Sequence, residues 1–316
     1  MERKYLCGLV SIMCICCLTA NASGDSPAKH TFSLVIREGF GSIPIGDLNT
    51  TLESINAAYD IVRNYYPERC VGEILPLPTS YKDWEVELQW AAWWGFSLGL
   101  AVSGPTHYSG KSFLTYTIVE YAGTQTENDT YESEVQVSAP VMLNLRRSFS
   151  IFQNVGLVIS GGIGFYRARM NLTQIMHLRY PLDDISLTSF YTDVTGREIG
   201  YHCGLALEYK LNKKFSLLAE SRWKFAKITT LSGNSCITHQ AFDADGNLAF
   251  SDIITKEGIL YHLIGTSLVL GVRHEKLVLE DLIPPWDGVD DPFDIRRAFL
   301  DLGGFVFKIG LRIRLF

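Results

Sequence analysis

Residues 196–225 alternate between apolar and polar side chains with a period of two, and this pattern constrains the fold more than any other feature of the sequence. From Ile199 to Tyr209 every second residue is apolar, while the residues between them are Gly, His, Ala or Glu. A short polar turn follows at 212–214, and the alternation resumes from Phe215. Successive side chains of a β-strand point to opposite faces, so this segment predicts a long hairpin with one apolar and one polar face.

The same alternation recurs along the chain and predicts eight strands. We place them near residues 31–41, 83–93, 96–106, 131–145, 154–169, 196–211, 215–229 and 301–316. In a soluble sandwich the apolar faces would point inward, whereas in a transmembrane barrel they contact lipid. We favour the transmembrane barrel, because small residues occupy the polar face and short turns alternate with long connections. The apolar faces are also long enough to cross a band of about 25 Å.

The predicted fold is therefore all-β: a transmembrane, antiparallel, up-and-down β-barrel of eight strands. Its long external loops are predicted near residues 42–82, 107–130, 170–195 and 230–300. The first loop is expected to hold one short helix, because Thr50 and Glu53 fit a capping box and apolar residues follow at helical spacing. The stretch 258–272 is apolar enough to hold further strands, so ten strands remain the alternative.

The N-terminal 22 residues predict export. Basic residues at positions 3 and 4 precede an apolar stretch from Leu6 to Leu18, and Ala20-Asn21-Ala22 fits the cleavage site of a signal peptide. We therefore expect residues 1–22 to be a signal peptide and residues 23–316 to form the transmembrane barrel domain.

Three cysteines remain in the predicted mature chain, and none has the spacing of a metal site. Cys203 falls in the middle of a strand on the lipid-facing side. Cys70 and Cys236 fall in the first and last predicted loops, which emerge side by side because the first and last strands of a closed barrel are neighbours. Since an exported chain meets an oxidising environment, Cys70 and Cys236 form a candidate disulfide.

The polar faces of the predicted strands carry many charged residues. The predicted lumen charge network consists of Glu85, Glu87, Glu134, Glu208, Glu220, Arg222, Lys224, Lys308, Arg312 and Arg314. The interior of an eight-stranded barrel is just wide enough for side chains, and buried charges must pair. The pattern therefore favours a salt-bridged plug over the two alternatives, a narrow ion path and an acid–base site.

Several functions are disfavoured by composition and motifs. A net charge of −6 and a pI near 5.7 provide no basic surface for a nucleic acid. His202 and Ser221 fall on opposite faces of their strands, so they do not form a hydrolase pair. No metal-binding or cofactor-binding motif stands out. We expect a protein that is not an enzyme and that uses no metal and no cofactor.

The C-terminal segment 301–316 alternates Phe305, Phe307 and Ile309 with polar or small residues and ends in Phe316. It resembles the closing strand of bacterial outer-membrane β-barrel proteins, and Gly39-Phe40-Gly41 resembles the first strand of small OmpA/OmpX-like barrels. Arg314 departs from that family's pattern, which has an apolar residue at this position. The resemblance implies that Phe316 is part of the signal read by the barrel-assembly machinery.

The resemblance also implies a location in the outer membrane of a Gram-negative-type bacterium, with membrane lipid and lipopolysaccharide as neighbours and a monomeric state. Within that class we expect a structural or surface-interaction role with a plugged, charged lumen. A narrow channel or a carrier of small molecules is the first alternative. A lipid-modifying enzyme with its site at the barrel rim is the second alternative.

Overall fold

The computed structural model describes residues 31–92, 95–120, 123–180, 184–266, 273–280 and 294–315. The predicted signal peptide and Phe316 lie outside these residues. The described chain is nearly all β. Its strands are β1 Thr31–Ser42, β2 Cys70–Glu73, β3 Ser80–Ala91, β4 Phe96–Ser103, β5 Thr106–Glu120, β6 Gly123–Val137, β7 Val141–Ser150, β8 Val155–Arg179, β9 Ile185–Lys210, β10 Phe215–Phe225, β11 Lys227–Ile228, β12 Ser232–Phe242, β13 Leu248–Thr266, β14 Arg273–Glu280, β15 Asp294–Arg297, β16 Leu300–Asp301 and β17 Gly304–Arg314.

The predicted count of eight strands, or alternatively ten, is wrong. The described residues contain 17 strands, of which 15 form one antiparallel sheet, while β11 and β16 form a separate two-stranded sheet. Most of the additional strands occupy the predicted loops 107–130 and 230–300, and β8 and β9 continue into the predicted loop 170–195. Both faces of these segments carry polar residues, so they lack the apolar and polar contrast by which a period of two is recognised.

One part of the large sheet closes on itself. Strand β17 pairs with both β1 and β10, and β8 pairs with β9 from Val155 opposite Tyr209 to Arg179 opposite Ile185. The closed set, which we call the ring, consists of β1, β3, β4, β7, β8, β9, β10 and β17. We call the remainder the extension. It consists of the other strands of this sheet, the parts of β8 and β9 that continue beyond the ring, and the helix described below. The extension lies at one end of the ring, and the short turns at 151–154 and 211–214 lie at the other end.

Two proline-containing breaks separate the ring from the extension. Pro140 lies between β6 and β7, where a single strand over 131–145 was expected, and its carbonyl accepts a hydrogen bond from the Ser103 backbone at 3.1 Å. Gly104 and Pro105 separate β4 from β5 at the same level. Proline has no N–H to donate to a sheet, so the hydrogen-bond ladder between the strands is interrupted here. The chain leaves the ring at both breaks.

The two parts of the sheet have opposite interiors. Around the ring, apolar side chains face outward: Leu205 is 50% exposed and Ile309 is 61% exposed, while charged side chains are buried inside. In the extension, a conventional hydrophobic core lies inside and includes Leu114, Val135 and Val194. An exception on the outer face of the ring is Glu38, which is opposite Trp84 near the extension end of the apolar surface.

A helix predicted in the first loop is present as α1, Asp47–Tyr65, and is followed by a 3-10 turn at Pro67–Arg69. The predicted capping box is absent, because Gly46 occupies the N-cap and the Thr50 hydroxyl donates to the Gly46 carbonyl at 3.2 Å instead. Leu48 and Leu52 bury one face of α1 in the core of the extension. No helix of the described residues is long and apolar enough to span a membrane.

Helix α1 contacts β2 and β14, which are the two ends of the strand order. Exposed sheet edges offer unpaired backbone groups to other chains, and proteins often cover them with a helix. The position of α1 therefore closes the extension where strand pairing does not.

The outward face of the ring generates a first prediction. If this face contacts lipid, Leu205→Arg should destabilise the folded chain by roughly 2–4 kcal/mol, because an arginine would be placed in the apolar part of the bilayer. Tyr191→Arg, on the same face of β9 but in the extension, should have little effect. Urea unfolding of both variants in lipid vesicles measures the difference, and equal stability of the two variants would contradict the assigned faces.

Candidate functional site

The interior of the ring is held together by ion pairs that cross it from one strand to another. Arg222 of β10 donates to both carboxylate oxygens of Glu85 of β3, with Nη1–Oε2 at 2.6 Å and Nη2–Oε1 at 3.0 Å. The same guanidinium donates to Glu220 at 2.9 Å. All three side chains are completely buried, so these contacts form in a dry interior where pairing is required.

Arg37 of β1 extends the network towards a second glutamate. Its guanidinium donates to Glu85 and, at 2.6 Å, to Glu87, while Nε lies 2.9 Å from Glu220. Arg146 of β7 holds Glu87 with two parallel hydrogen bonds of 2.9 and 2.8 Å. Both glutamates are thus shared between cations from different strands, which ties opposite walls of the ring together.

Glycine makes room for these long side chains. A Cβ atom added to Gly99 of β4 would lie 1.9 Å from Oε1 of Glu87. The small residues on the inner face of the strands, which the sequence shows clearly, are therefore a steric requirement of the charge network.

The network continues towards both ends of the ring. On the extension side, Lys308 contacts Asp83 at 2.9 Å and Glu85 at 2.7 Å, and Lys224 contacts Asp83 at 2.8 Å. On the short-turn side, Arg312 contacts Glu208 at 2.6 Å. Charged pairs therefore occupy the interior over most of the height of the ring.

Neutral polar groups complete the hydrogen bonding of the network. The Asn144 amide donates to Glu87 at 2.9 Å, and its oxygen is 2.6 Å from Nε2 of His202. His202 is buried and has no serine, cysteine or water-activating partner among its described contacts. Its geometry is that of a structural side chain in the wall of the ring.

Eight of the ten predicted network residues lie inside the ring: Glu85, Glu87, Glu208, Glu220, Arg222, Lys224, Lys308 and Arg312. Glu134 does not, because it belongs to β6 of the extension, where it is partly exposed and contacts His107. Arg314 is half-buried at the end of β17 next to the short turn at 211–214. Neither side chain takes part in the ion pairs described above.

The sequence reasoning missed Arg37, Arg146 and Asp83. Arg37 lies on the same face of its strand as Ser33 and Val35. The charged Glu38 next to it interrupts the apolar face, which made the alternation hard to recognise. Arg146 was missed because the strand was expected to end at 145, whereas β7 continues to Ser150. Because the predicted network contained five glutamates and five cations, a count of its charges gave no sign that further ionic residues were buried.

Little space remains around the network. A cavity of about 30 Å³ lies at the junction of ring and extension, lined by Asp83, Lys224 and the rings of Tyr81, Tyr108 and Tyr166. That volume holds about one water molecule. Below it, the side chains of Arg37, Glu85 and Arg222 are inaccessible to solvent. The ring is therefore closed to water at this level.

The candidate disulfide is not formed in the structure, where Cys70 and Cys236 are free thiols. Cys70 is in β2, at one end of the strand order, whereas Cys236 is in β12, beside β9. The expectation that the two loops emerge side by side assumed unstructured loops. Because these segments are strands of the extension, strands β5, β6, β8 and β9 separate the two thiols along the sheet.

A second buried charge cluster fixes the start of α1 in the extension. Asp47 accepts two hydrogen bonds of 2.6 Å from Arg296 and lies 3.4 Å from Nδ1 of His262, whose Nε2 is 2.8 Å from Glu275. Burial opposes ionisation of Asp47, but the nearby His262 and the hydrogen bonds from Arg296 outweigh it and lower its pKa. The ionised Asp47 joins the helix to β13 and β15.

A third group of buried polar side chains lies under α1. Asp129 of β6 is 2% exposed and accepts a hydrogen bond from the Tyr131 hydroxyl at 3.4 Å. Burial raises the pKa of Asp129 to about 7, and the charge of Glu127 adds to this rise. Burial and the Asp129 charge also raise the pKa of Tyr59 on α1. The surroundings of this carboxyl group therefore keep it protonated at pH values below about 7.

Comparisons with known proteins do not place the chain in a family. No family model matches it, and no curated protein matches it. Among solved structures, a Pseudomonas aeruginosa FadL homologue aligns over 90% of this chain and 90% of its own, with 7% identity and a TM-score of 0.18. At that TM-score the alignment carries no argument about function.

The charge network generates a second prediction. Glu85→Gln should destabilise the chain by about 3–5 kcal/mol, because Arg37, Arg222 and Lys308 would lose a shared carboxylate in a dry interior. Glu134→Gln, the same change at a partly exposed position, should cost less than about 1 kcal/mol. Equilibrium unfolding in urea compares the two variants. A small effect of Glu85→Gln would show that the network contributes little to stability.

The raised pKa of Asp129 generates a third prediction. In the folded chain the Asp129 carboxyl group keeps its proton up to about pH 7, whereas an aspartic acid in an unfolded chain loses its proton at about pH 4. The associated stabilisation is full below about pH 4 and is lost as the pH rises through about 7. In Asp129→Asn the decline in thermal midpoint over this range should shrink, while the exposed Asp252→Asn should retain it. An unchanged decline in Asp129→Asn would exclude this carboxyl as the source.

Proposed function

We propose that the chain is an outer-membrane β-barrel protein whose ring spans the membrane and whose extension stands outside it. The observation that carries the proposal is the inversion of the ring, with apolar side chains such as Leu205 and Ile309 exposed and charged side chains buried. In water this arrangement would expose a wide apolar surface and would gain nothing from it. In a bilayer it is the arrangement expected of a barrel.

Aromatic residues support the same orientation. Trp84, Trp223 and Phe225 are exposed near the extension end of the apolar surface, and Tyr209 and Phe215 are exposed near the short turn at 211–214. Aromatic girdles at both membrane interfaces are typical of transmembrane barrels. With export by residues 1–22 and recognition of Phe316 by the assembly machinery, the short turns would face the periplasm.

Within this class we propose a non-enzymatic role in surface interaction, with the closed ring as an anchor. The extension has its own hydrophobic core and its own helix. The ion pairs of the ring, including Arg222 with Glu85, leave no described passage for solutes. A charged and filled interior also disfavours a carrier of apolar molecules.

The proposal is tested with the full chain reconstituted in lipid vesicles. We expect the protein to float with the vesicles, and we expect an added protease to cut the extension, for example at the exposed turn 243–247, while the ring is protected. Failure to float, or complete digestion, would contradict membrane insertion.

Planar bilayer recordings address the closed interior in the same preparation. We expect no steady conductance from the wild-type chain, because paired charges fill the ring. Removal of the central pair in a Glu85→Ala/Arg222→Ala double variant should produce openings if the variant still floats with vesicles. Steady openings from the wild-type chain would support a channel instead of an anchor.

A further inference from the structure

Two arginines lie directly opposite each other on the outer face of the sheet. Arg167 of β8 and Arg197 of β9 are cross-strand neighbours, and both side chains are exposed. Like charges in this arrangement destabilise a pair of strands. In the described part of the chain neither guanidinium has an ion-pair partner. The sheet therefore carries an uncompensated double positive charge at this point.

The neighbouring arginine shows that compensation is available nearby but is not used here. Arg169 lies on the same face of β8, two residues further into the extension, and Asp193 binds it through two hydrogen bonds of 2.8 and 2.6 Å. Asp193 is the cross-strand partner of Asn171, and the pair of Arg169 with Thr195 lies between it and the two arginines. Asp193 therefore reaches Arg169 but is too far along the strands from Arg167. The unmatched pair is thus confined to one level of the sheet.

That level is the end of the apolar surface. The preceding cross-strand pair on the same face is Phe165 with Ile199, and both side chains are about half exposed. If the ring spans the bilayer, the two guanidinium groups lie where lipid headgroups begin. Phosphate is the group that arginine binds best there, because its oxygens match the planar fork of donors.

We infer that Arg167 and Arg197 together form a binding site for the phosphate of an anionic lipid headgroup in the leaflet on the extension side. The bound phosphate would neutralise the two facing charges and fix the depth of the ring in the membrane. This inference rests on the proposed membrane-spanning ring, since it needs the headgroups to lie at this level.

The test uses the full chain in vesicles of phosphatidylcholine alone and in vesicles with one third of phosphatidylglycerol. Urea unfolding of the wild-type chain is compared with that of an Arg167→Gln/Arg197→Gln double variant. The control is Lys111→Gln/Lys256→Gln, which removes the same charge from the extension, where each lysine pairs with a glutamate. Flotation of all three proteins is verified first in both lipids.

We expect anionic vesicles to shift the unfolding equilibrium towards the folded state about 30-fold more for the wild-type chain than for the double variant. The control should keep the wild-type shift, and added salt should reduce it. An equal shift in wild type and double variant would overturn the inference. An equal stabilisation by inorganic phosphate in phosphatidylcholine vesicles would also overturn it, since the site would then bind a free anion rather than a lipid.

Failure of this site and failure of the proposed function give different results. A chain that floats with both kinds of vesicle but shows no dependence on Arg167 and Arg197 retains its membrane-spanning ring and lacks the lipid site. A chain that floats with neither kind of vesicle contradicts the proposed function itself.

Discussion

The pairing of Glu85 with three cations is the interaction on which the rest of the ring depends. Arg37, Arg222 and Lys308 come from three different strands and converge on this one carboxylate. A charge in a dry interior is tolerated only when it is matched, so every strand that contributes one is constrained by the others. The same matching fills the ring, which explains why small residues such as Gly99 must stand between the charged ones.

A single strand shows how the surroundings decide which side chains are buried. In the ring portion of β9, His202 and Glu208 point inward and Leu205 points outward, whereas in the extension Val194 points inward and Asp193 lies on the outer face. The pairing of β9 with β8 continues without a break between these positions, while its other edge changes partner from β12 to β10. The reversal of polarity marks the level at which an outer surface suited to lipid becomes one suited to water.

The sequence predicts the ring far better than the extension for the same reason. Between Ile199 and Tyr209 apolar residues alternate with small or polar ones, and the strand is recognisable from that contrast alone. In β12 and β13 half-exposed polar residues occupy both faces, so no period is visible, and the strands form because β9 offers its edge. Asp129 was not predictable either, because its burial depends on α1 packing over a distant strand.

The long β8–β9 hairpin is what couples the two parts of the molecule. The other connections between ring and extension are interrupted, among them those at Pro140, at Gly104 and Pro105, and between β10 and β11. Strands β8 and β9 alone cross the junction without a break, over about 80 Å of paired backbone. Their inner face carries Glu208 and His202 in the charged interior and Val194 in the hydrophobic core. A disturbance of the ion pairs can therefore reach the extension through this hairpin, whereas the breaks elsewhere allow the two interiors to pack independently.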